Sequence, residues 1–279
     1  MRVFMMTDLE GPCGVNGRPD GIGNRILNPE IAAKALTNEV NACIEGLVAA
    51  GADCVTVVDG HGGSNTLNVF DLHPAAELVQ YGGTFYGVWP DATLEYDAAV
   101  SIGAHAMQNS GGYMCHSFSS HSVSEIRLNG KPIGEIGIEA LIYAYFGIPF
   151  ILLSGDETAC KEGRDFVGPE LTTVATKQAY GRYSVRNYPR EKVYAELREK
   201  SRQALENRAS MPIMKMPESF VLEYEMMCPN HADQMEANGG ERVDFRTVRF
   251  KGTDFLRVWF GKTWNAAFKK RYGHLLKKA

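Results

Sequence analysis

Short apolar runs alternate with longer amphipathic stretches along most of the chain. The apolar runs lie at residues 2–7, 53–58, 97–102 and 149–154. Runs of this length, each followed by a turn, are typical of buried parallel strands. Apolar spacing close to 3.6 residues predicts a helix between Asn28 and Gly51, and further helices are predicted at 135–146, 156–166 and 189–208. Strands that alternate with helices predict an α/β fold, a layered α/β/α core around a largely parallel sheet.

The first helix has a marked start and end. Asn28 is expected to cap it, Pro29 suits the first helical position, and Gly51 is a typical stop. The preceding segment, Gly11 to Leu27, is rich in glycine and follows the first strand directly. We expect a long loop there, either a lid or substrate contact, or a flexible surface loop or subunit contact.

The second half of the chain is less regular. Residues 123–128 alternate like a half-exposed strand, and Asn129-Gly130 is a strong hairpin-turn signal. Further strands are predicted at 219–225 and 243–250, followed by a helix over 252–271. A composition shift near residue 209 predicts an α/β core over 1–208 and a smaller α/β region over 209–279.

Composition excludes several classes of protein. The chain has 279 residues, is 44% hydrophobic and carries a formal net charge of -4. The hydrophobic content argues against disorder, and the acidic balance argues against a nucleic-acid partner. No apolar run reaches the ~18 residues of a membrane span, and acidic residues come too early for a signal peptide. The six cysteines are scattered, as in reduced intracellular proteins, so a cytoplasmic protein is expected.

Polar side chains lie just past the ends of three predicted strands. Asp8, His61 and His105 occupy these positions, and Glu10 lies two residues after Asp8 on the same side of an extended chain. Ligands of open α/β sheets bind outside the carboxyl ends of the strands, so these side chains form a candidate metal site. Taken singly, the acids are also typical of turns, His61 of a flexible glycine turn, and His105 of a hydrogen-bonded core histidine.

The same residue types favour hydrolysis as the reaction. Carboxylates and imidazoles suit zinc, and manganese and cobalt accept overlapping ligands. One carboxylate can bridge two metal ions, which together hold a hydroxide and polarise a carbonyl group. Signatures of dinucleotide binding, phosphate-binding loops, serine hydrolases and the usual helical zinc peptidases are absent from the sequence.

Five short segments, taken together, resemble one family. They are Asp8-Leu9-Glu10-Gly11, Asp59-Gly60-His61, Gly103-Ala104-His105-Ala106, Met114-Cys115-His116-Ser117 and Gly134-Glu135-Ile136-Gly137. Their order and spacing are similar to those of the DppA-type D-aminopeptidases, a family of binuclear zinc peptidases. The resemblance is strongest from residue 1 to about 178.

The resemblance implies a role for each matching residue. Asp8 would bridge two zinc ions, and Glu10, His61, His105 and Glu135 would complete their coordination. His116 matches the histidine that the family describes as the nucleophile.

These last two residues also have plainer interpretations. A glutamate at position 135 suits the start of a helix without any metal, and His116 could be a core or surface histidine. Near a metal-bound hydroxide, an imidazole serves more economically as general acid or base than as nucleophile, so we predict that role for His116. Cys115 is adjacent but points to the opposite face, as a small buried residue would.

The resemblance further implies two zinc ions per subunit, short peptide substrates with N-terminal D-amino acids, and a ring-like homodecamer with an internal chamber. A metallo-aminopeptidase is therefore the leading hypothesis. Two alternatives stay open: a metal-dependent hydrolase of another amide or of a phosphate ester, and a non-catalytic protein that binds peptide or metal.

Overall fold

The computed structural model describes residues 1–81 and 95–261. The strands are β1 (Arg2–Thr7), β2 (Asn16–Asp20), β3 (Gly23–Leu27), β4 (Cys54–Asp59), β5 (Ala76–Val79), β6 (Ala98–Ala104), β7 (Val123–Leu128), β8 (Lys131–Pro132), β9 (Phe150–Asp156), β10 (Thr172–Gly181), β11 (Ser184–Asn187), β12 (Phe220–Met226), β13 (Glu241–Arg242) and β14 (Thr247–Gly252). The helices are α1 (Pro29–Ala49), α2 (Glu135–Phe146), α3 (Glu157–Val167), α4 (Arg190–Glu206), α5 (Pro229–Ala237) and α6 (Phe255–Trp259).

A seven-stranded sheet forms the centre of the molecule, in the order β11-β10-β9-β6-β1-β4-β5. All neighbouring pairs are parallel except β10 and β11. Strand β1 lies between β6 and β4. Because these three strands are parallel, their carboxyl ends lie side by side at one edge of the sheet. Their side chains are buried almost throughout, which explains why they are apolar without alternation.

Helices cover both faces of this sheet. Val3 and Met5 of β1 pack with the apolar residues of α1 and α4, whereas Phe4 and Met6 face the opposite way. On that second face lie α2 and α3, packed against β9 and β10. The predicted α/β/α layering with a largely parallel sheet is therefore confirmed.

A second, five-stranded sheet has the order β13-β14-β12-β7-β8 and is antiparallel. Alternate residues of β12 are buried, and they pack with α2, α5 and α6. Helix α2 thus has two apolar faces. Ile136, Ala140 and Tyr143 contact the large sheet, and Ile138 and Leu141 contact the small one.

The hairpin between β7 and β8 turns at the predicted dipeptide. Asn129 and Gly130 have φ angles of 50° and 80°, as a tight turn of this hand requires. The small sheet takes strands from residues 123–132 and from 220–252, on both sides of residue 209. The domain boundary at that residue stays a prediction.

Several local expectations were wrong. The segment from Gly11 to Leu27 contains an antiparallel hairpin, β2 and β3, rather than a plain loop. Asn28 has a left-handed conformation and makes no capping hydrogen bond. The last described helix ends at Trp259, and the part of the predicted 252–271 helix from residue 262 on lies outside the described residues.

The sequence did not predict β5, β10, β11 and α5.

Along residues 1–81 and 95–261, no helix combines the length and the apolar character needed to cross a membrane.

Candidate metal centre

Four segments place acidic and imidazole side chains at one edge of the large sheet. Asp8 and Glu10 follow β1, His61 follows β4 and His105 follows β6. These strands are neighbours, so the three turns meet at the same place. Glu135, the first residue of α2, reaches the group from the layer of helices above the sheet.

The turn after β1 lies against the end of β6. The backbone N–H of Asp8 donates to Ile102 O at 2.9 Å, and that of Gly11 donates to Gly103 O at 2.8 Å. No side chain fits at this crossing. A Cβ at Gly11 would lie 2.3 Å from Ala104 O, and a Cβ at Gly103 would lie 2.2 Å from Asp8 O. The two glycines therefore permit the close approach that brings Asp8 beside the end of β6.

The turn after β4 is held by a buried carboxylate. Asp59 accepts hydrogen bonds from the backbone N–H groups of Thr66 and Leu67, at 2.7 and 2.9 Å, and from the side chain of Gln80 at 3.1 Å. These bonds close the chain around His61 and give its glycine-rich turn a defined shape.

Each of the two histidines lies between two carboxylates. His61 Nδ1 is 3.0 Å from Asp8 Oδ1 and 3.1 Å from Glu10 Oε2. His105 Nε2 is 3.2 Å from Asp8 Oδ2 and also 3.2 Å from Glu135 Oε1. Asp8 therefore offers one oxygen to each side, and the five residues form two adjacent groups that share it.

Backbone contacts fix the orientation of the second group. His105 Nδ1 lies 3.0 Å from Ala106 O, which can only accept, so Nδ1 carries the proton and Nε2 faces the carboxylates. Glu135 Oε1 also accepts from the backbone N–H of Phe118 at 2.6 Å. The protein's own hydrogen bonds thus fix the orientation of these two side chains without any bound ligand.

The centre is shielded from solvent and contains three carboxylates and two imidazoles. Glu10 and His105 are only 3% and 4% exposed. Burial alone lowers the pKa of His61 and His105, but the facing carboxylates outweigh it and raise both pKa values. Burial and the charge of Glu10 raise the pKa of Asp8 to about 6. Three carboxylates in a desolvated pocket favour any cation placed among them.

These residues fit a divalent metal. The buried Glu10 Oε2 accepts no hydrogen bond of good geometry among the described residues, although His61 lies close to it. Ligand atoms of Asp8, Glu10 and His105 lie within 4.8 Å of one another, and so do those of His105, His116 and Glu135. Oxygen and imidazole donors at this spacing suit zinc and related ions.

His116 lies directly beside this group. Its ring stacks on that of His105, with centroids 3.9 Å apart and planes inclined by 13°. Its Nδ1 is 2.9 Å from Met114 O. Burial and the neighbouring His105 lower the pKa of His116, which favours the neutral ring. The adjacent Cys115 is buried, and no described contact joins its sulfur to His116.

The centre opens into a cavity of about 1100 Å³. Besides the residues already named, its walls include side chains that the sequence did not single out: Asn24, Arg25, Glu30, Ser119, Ser120, Trp259 and Phe260. His121 also lines it. The hairpin of β2 and β3 therefore borders the site, as the substrate-contact interpretation of residues 11–27 requires.

Nearly the whole chain matches one family of proteins. The family model described as D-aminopeptidase matches residues 1–261. The chain therefore belongs to the D-aminopeptidase family, and the predicted resemblance and the predicted class of enzyme are confirmed.

A curated protein and a solved structure are both similar to this chain over almost its whole length. A D-aminopeptidase of Bacillus subtilis (strain 168) is 29% identical over 263 residues, which cover 93% of this chain and 94% of the relative. A solved structure, the Zn-dependent D-aminopeptidase DppA from Bacillus subtilis, described as a self-compartmentalizing protease, superposes with a TM-score of 0.83. It is 29% identical, and the match covers 97% of both chains.

Proposed function

We propose that this chain is a zinc-dependent aminopeptidase that removes N-terminal D-amino acids from short peptides. Asp8, Glu10, His61, His105 and Glu135 would hold two zinc ions, and His116 would act as general acid/base. The observation that carries the proposal is the position of Asp8, with one carboxylate oxygen toward His61 and the other toward His105. The family and the zinc dependence of the DppA relative support it.

Two bound zinc ions would supply hydroxide at neutral pH and polarise the scissile carbonyl group. The chain's own residues supply the rest. Asp8 would hold the two groups of ligands together, and the buried Glu10 and the half-buried Glu135 would each add a negative charge to one group. The large cavity beside them admits an extended peptide.

His116 is placed to move a proton. Its Nδ1–H donates a hydrogen bond to the Met114 carbonyl oxygen, so Nε2 is the ring nitrogen that carries a lone pair. That nitrogen can take a proton from the attacking water and return it to the leaving amine. Proton transfer by a positioned side chain contributes about 10²–10⁴-fold to such reactions. The grouping of His116 with His105 and Glu135 favours a second candidate role, that of a metal ligand.

One experiment separates these roles. Zinc content and kcat/KM are measured for the wild type and for His116→Ala, with His231→Ala on α5 as the control. We expect two zinc ions per chain in all three proteins, and a loss of at least ~100-fold in kcat/KM in His116→Ala alone. A zinc content reduced by one in His116→Ala would instead make His116 a ligand and contradict its acid/base role.

The zinc content of further variants tests the proposed bridging role of Asp8. Asp8→Ala should retain less than one zinc ion per chain, because it removes a ligand from both groups. Glu135→Gln should lose one zinc ion only. Glu30→Gln, at an exposed carboxylate in the wall of the cavity, should lose none. A wild type that binds a single zinc ion would overturn the two-metal proposal.

A substrate panel tests the reaction. The zinc-loaded protein is offered D- and L-aminoacyl amides, dipeptides with either configuration at the N-terminus, and a phosphate ester. We expect cleavage of the D-aminoacyl compounds. Cleavage of the ester alone would favour another metal-dependent hydrolase, and binding without turnover would favour a non-catalytic peptide-binding protein.

Self-association belongs to the same proposal. The DppA relative is described as self-compartmentalizing, and we infer that this chain also forms a homo-oligomer, a decamer by family resemblance, in the cytoplasm. Sedimentation of the purified protein measures its mass directly.

A further inference from the structure

The hairpin of β2 and β3 is docked closely on the segment that carries His116. The backbone N–H of Asn24 donates to Ser120 Oγ at 3.0 Å. A Cβ at Gly23 would lie 2.3 Å from the ring of His121, so the two segments touch without space for a side chain. Asn24 is thereby held at a fixed position over residues 114–121.

The amide of Asn24 has a defined orientation. Its Nδ2 donates to Met114 O at 2.7 Å, and its Oδ1 accepts from the Tyr183 hydroxyl at 2.6 Å. A carbonyl oxygen can only accept, so Nδ2 and not Oδ1 must face Met114. The Tyr183 hydroxyl also lies 3.1 Å from Gly23 O, which ties it to the hairpin.

The same carbonyl orients His116. Met114 O accepts from His116 Nδ1 at 2.9 Å, and Asn24 Nδ2 lies 3.3 Å from that nitrogen. Met114 has a φ of 48°, a left-handed conformation that a residue with a side chain adopts only when its surroundings hold it. Asn24 is one of the groups that hold it.

We propose that Asn24 is a positioning residue for His116. By its bond to the Met114 carbonyl, Asn24 fixes the acceptor that keeps the proton on His116 Nδ1 and directs Nε2 toward the metal centre. The proposal rests on the acid/base role of His116 proposed above. It extends the functional site to the hairpin, which supplies a residue that acts through another rather than on the substrate.

The test is a double-mutant cycle. Asn24→Ala is made in the wild type and in His116→Ala, and Asn16→Ala, an exposed asparagine on β2, is the matched control. In the wild type, Asn24→Ala should lower kcat about 10- to 100-fold, as a small misplacement of a catalytic group does, with KM changed less than about twofold. In the His116→Ala background it should cause no further loss. Tyr183→Phe, which removes only the hydroxyl, should give a smaller fall in kcat.

Two kinetic outcomes would overturn the proposal. A raised KM with unchanged kcat would make Asn24 a substrate contact, since it lines the cavity. An equal loss in both backgrounds would give it a general structural role.

A crystal structure of zinc-loaded Asn24→Ala gives an independent measure. The His116 ring should leave hydrogen-bond distance of Met114 O while the five metal ligands stay in place. An unmoved ring would overturn the proposal. If His116→Ala itself keeps full activity, the acid/base role fails, and this structure still decides whether Asn24 orients the ring.

Discussion

Single residues at the centre differ in how well the sequence indicates them. Asp8, His61 and His105 were singled out because each follows an apolar strand, and parallel strands end at a common edge. Glu135 reaches the same point from a helix far along the chain, and only the family resemblance pointed to it. Asn24 gave no signal, because its position depends on a hairpin that the glycine-rich segment did not predict.

Glu139, one turn after Glu135 in α2, allows a prediction about pH. Burial raises its pKa to about 8 from an ordinary 4.5, although Ser101 and Tyr143 donate hydrogen bonds to it. The folded state therefore binds this proton more tightly than the unfolded state. The stability contribution is complete below pH 4.5 and is lost as the pH rises to about 8, at about 1.4 kcal/mol per unit.

Glu139→Gln should remove this dependence. In urea unfolding of the metal-free protein, the free energy of unfolding of the variant should rise relative to wild type between pH 5.5 and 8. Glu30→Gln, an exposed neighbour of the cavity, should follow the wild type. A constant difference between Glu139→Gln and wild type across this range would contradict a raised pKa.

At the scale of elements, the site depends on the crossing of the β1 turn and the end of β6. Gly11→Ala would place a methyl group 2.3 Å from Ala104 O, so the turn must shift and carry Asp8 and Glu10 with it. We expect a destabilisation of roughly 1–3 kcal/mol and a clear loss of zinc. Gly181→Ala, where a Cβ meets nothing within 4 Å, is the control for both denaturation and metal analysis. Unchanged zinc content in Gly11→Ala would show that the crossing does not position the ligands.

Elements with a strong period were predictable, and those that depend on distant pairing were not. The strands β1, β4, β6 and β9 are buried almost throughout and mostly apolar, because helices cover both faces of the sheet. Strand β10 mixes exposed and buried residues, and β11 pairs only with it at the edge of the sheet. Helix α1 begins near the predicted residue. Pro29 occupies its first turn, whereas Asn28 makes no capping hydrogen bond.

At the scale of the molecule, the proposed metal ligands come from segments as far apart as residues 8 and 135. A metal that binds only the folded state stabilises it, by about 2.7 kcal/mol when the free metal is a hundredfold above its dissociation constant. Zinc should therefore raise the melting temperature by several degrees over the protein in EDTA. Asp8→Ala should show almost no zinc-dependent shift in the same thermal scan. Identical melting of the wild type with and without zinc would argue against a site built by folding.

The layers of the large sheet could be read from the alternation of strands and helices. The small sheet was only partly foreseen, because its strands come from two distant stretches that local periodicity does not connect. Its outward face carries cross-strand ion pairs, among them Arg249 with Glu223 and Arg127 with Glu225. Their charged composition indicates a solvated face, but it does not reveal which strands are neighbours.

Helix α2 has a consequence for the order of events during synthesis. Its two apolar faces are covered by different sheets, and the covering strands β12 and β14 are translated only after residue 220. An emerging polypeptide that ends earlier lacks most of the small sheet, and only β7 and β8 are present to cover that side of the helix. We therefore expect the proposed metal ligands to reach their final positions only after a ribosome has added β12 and β14.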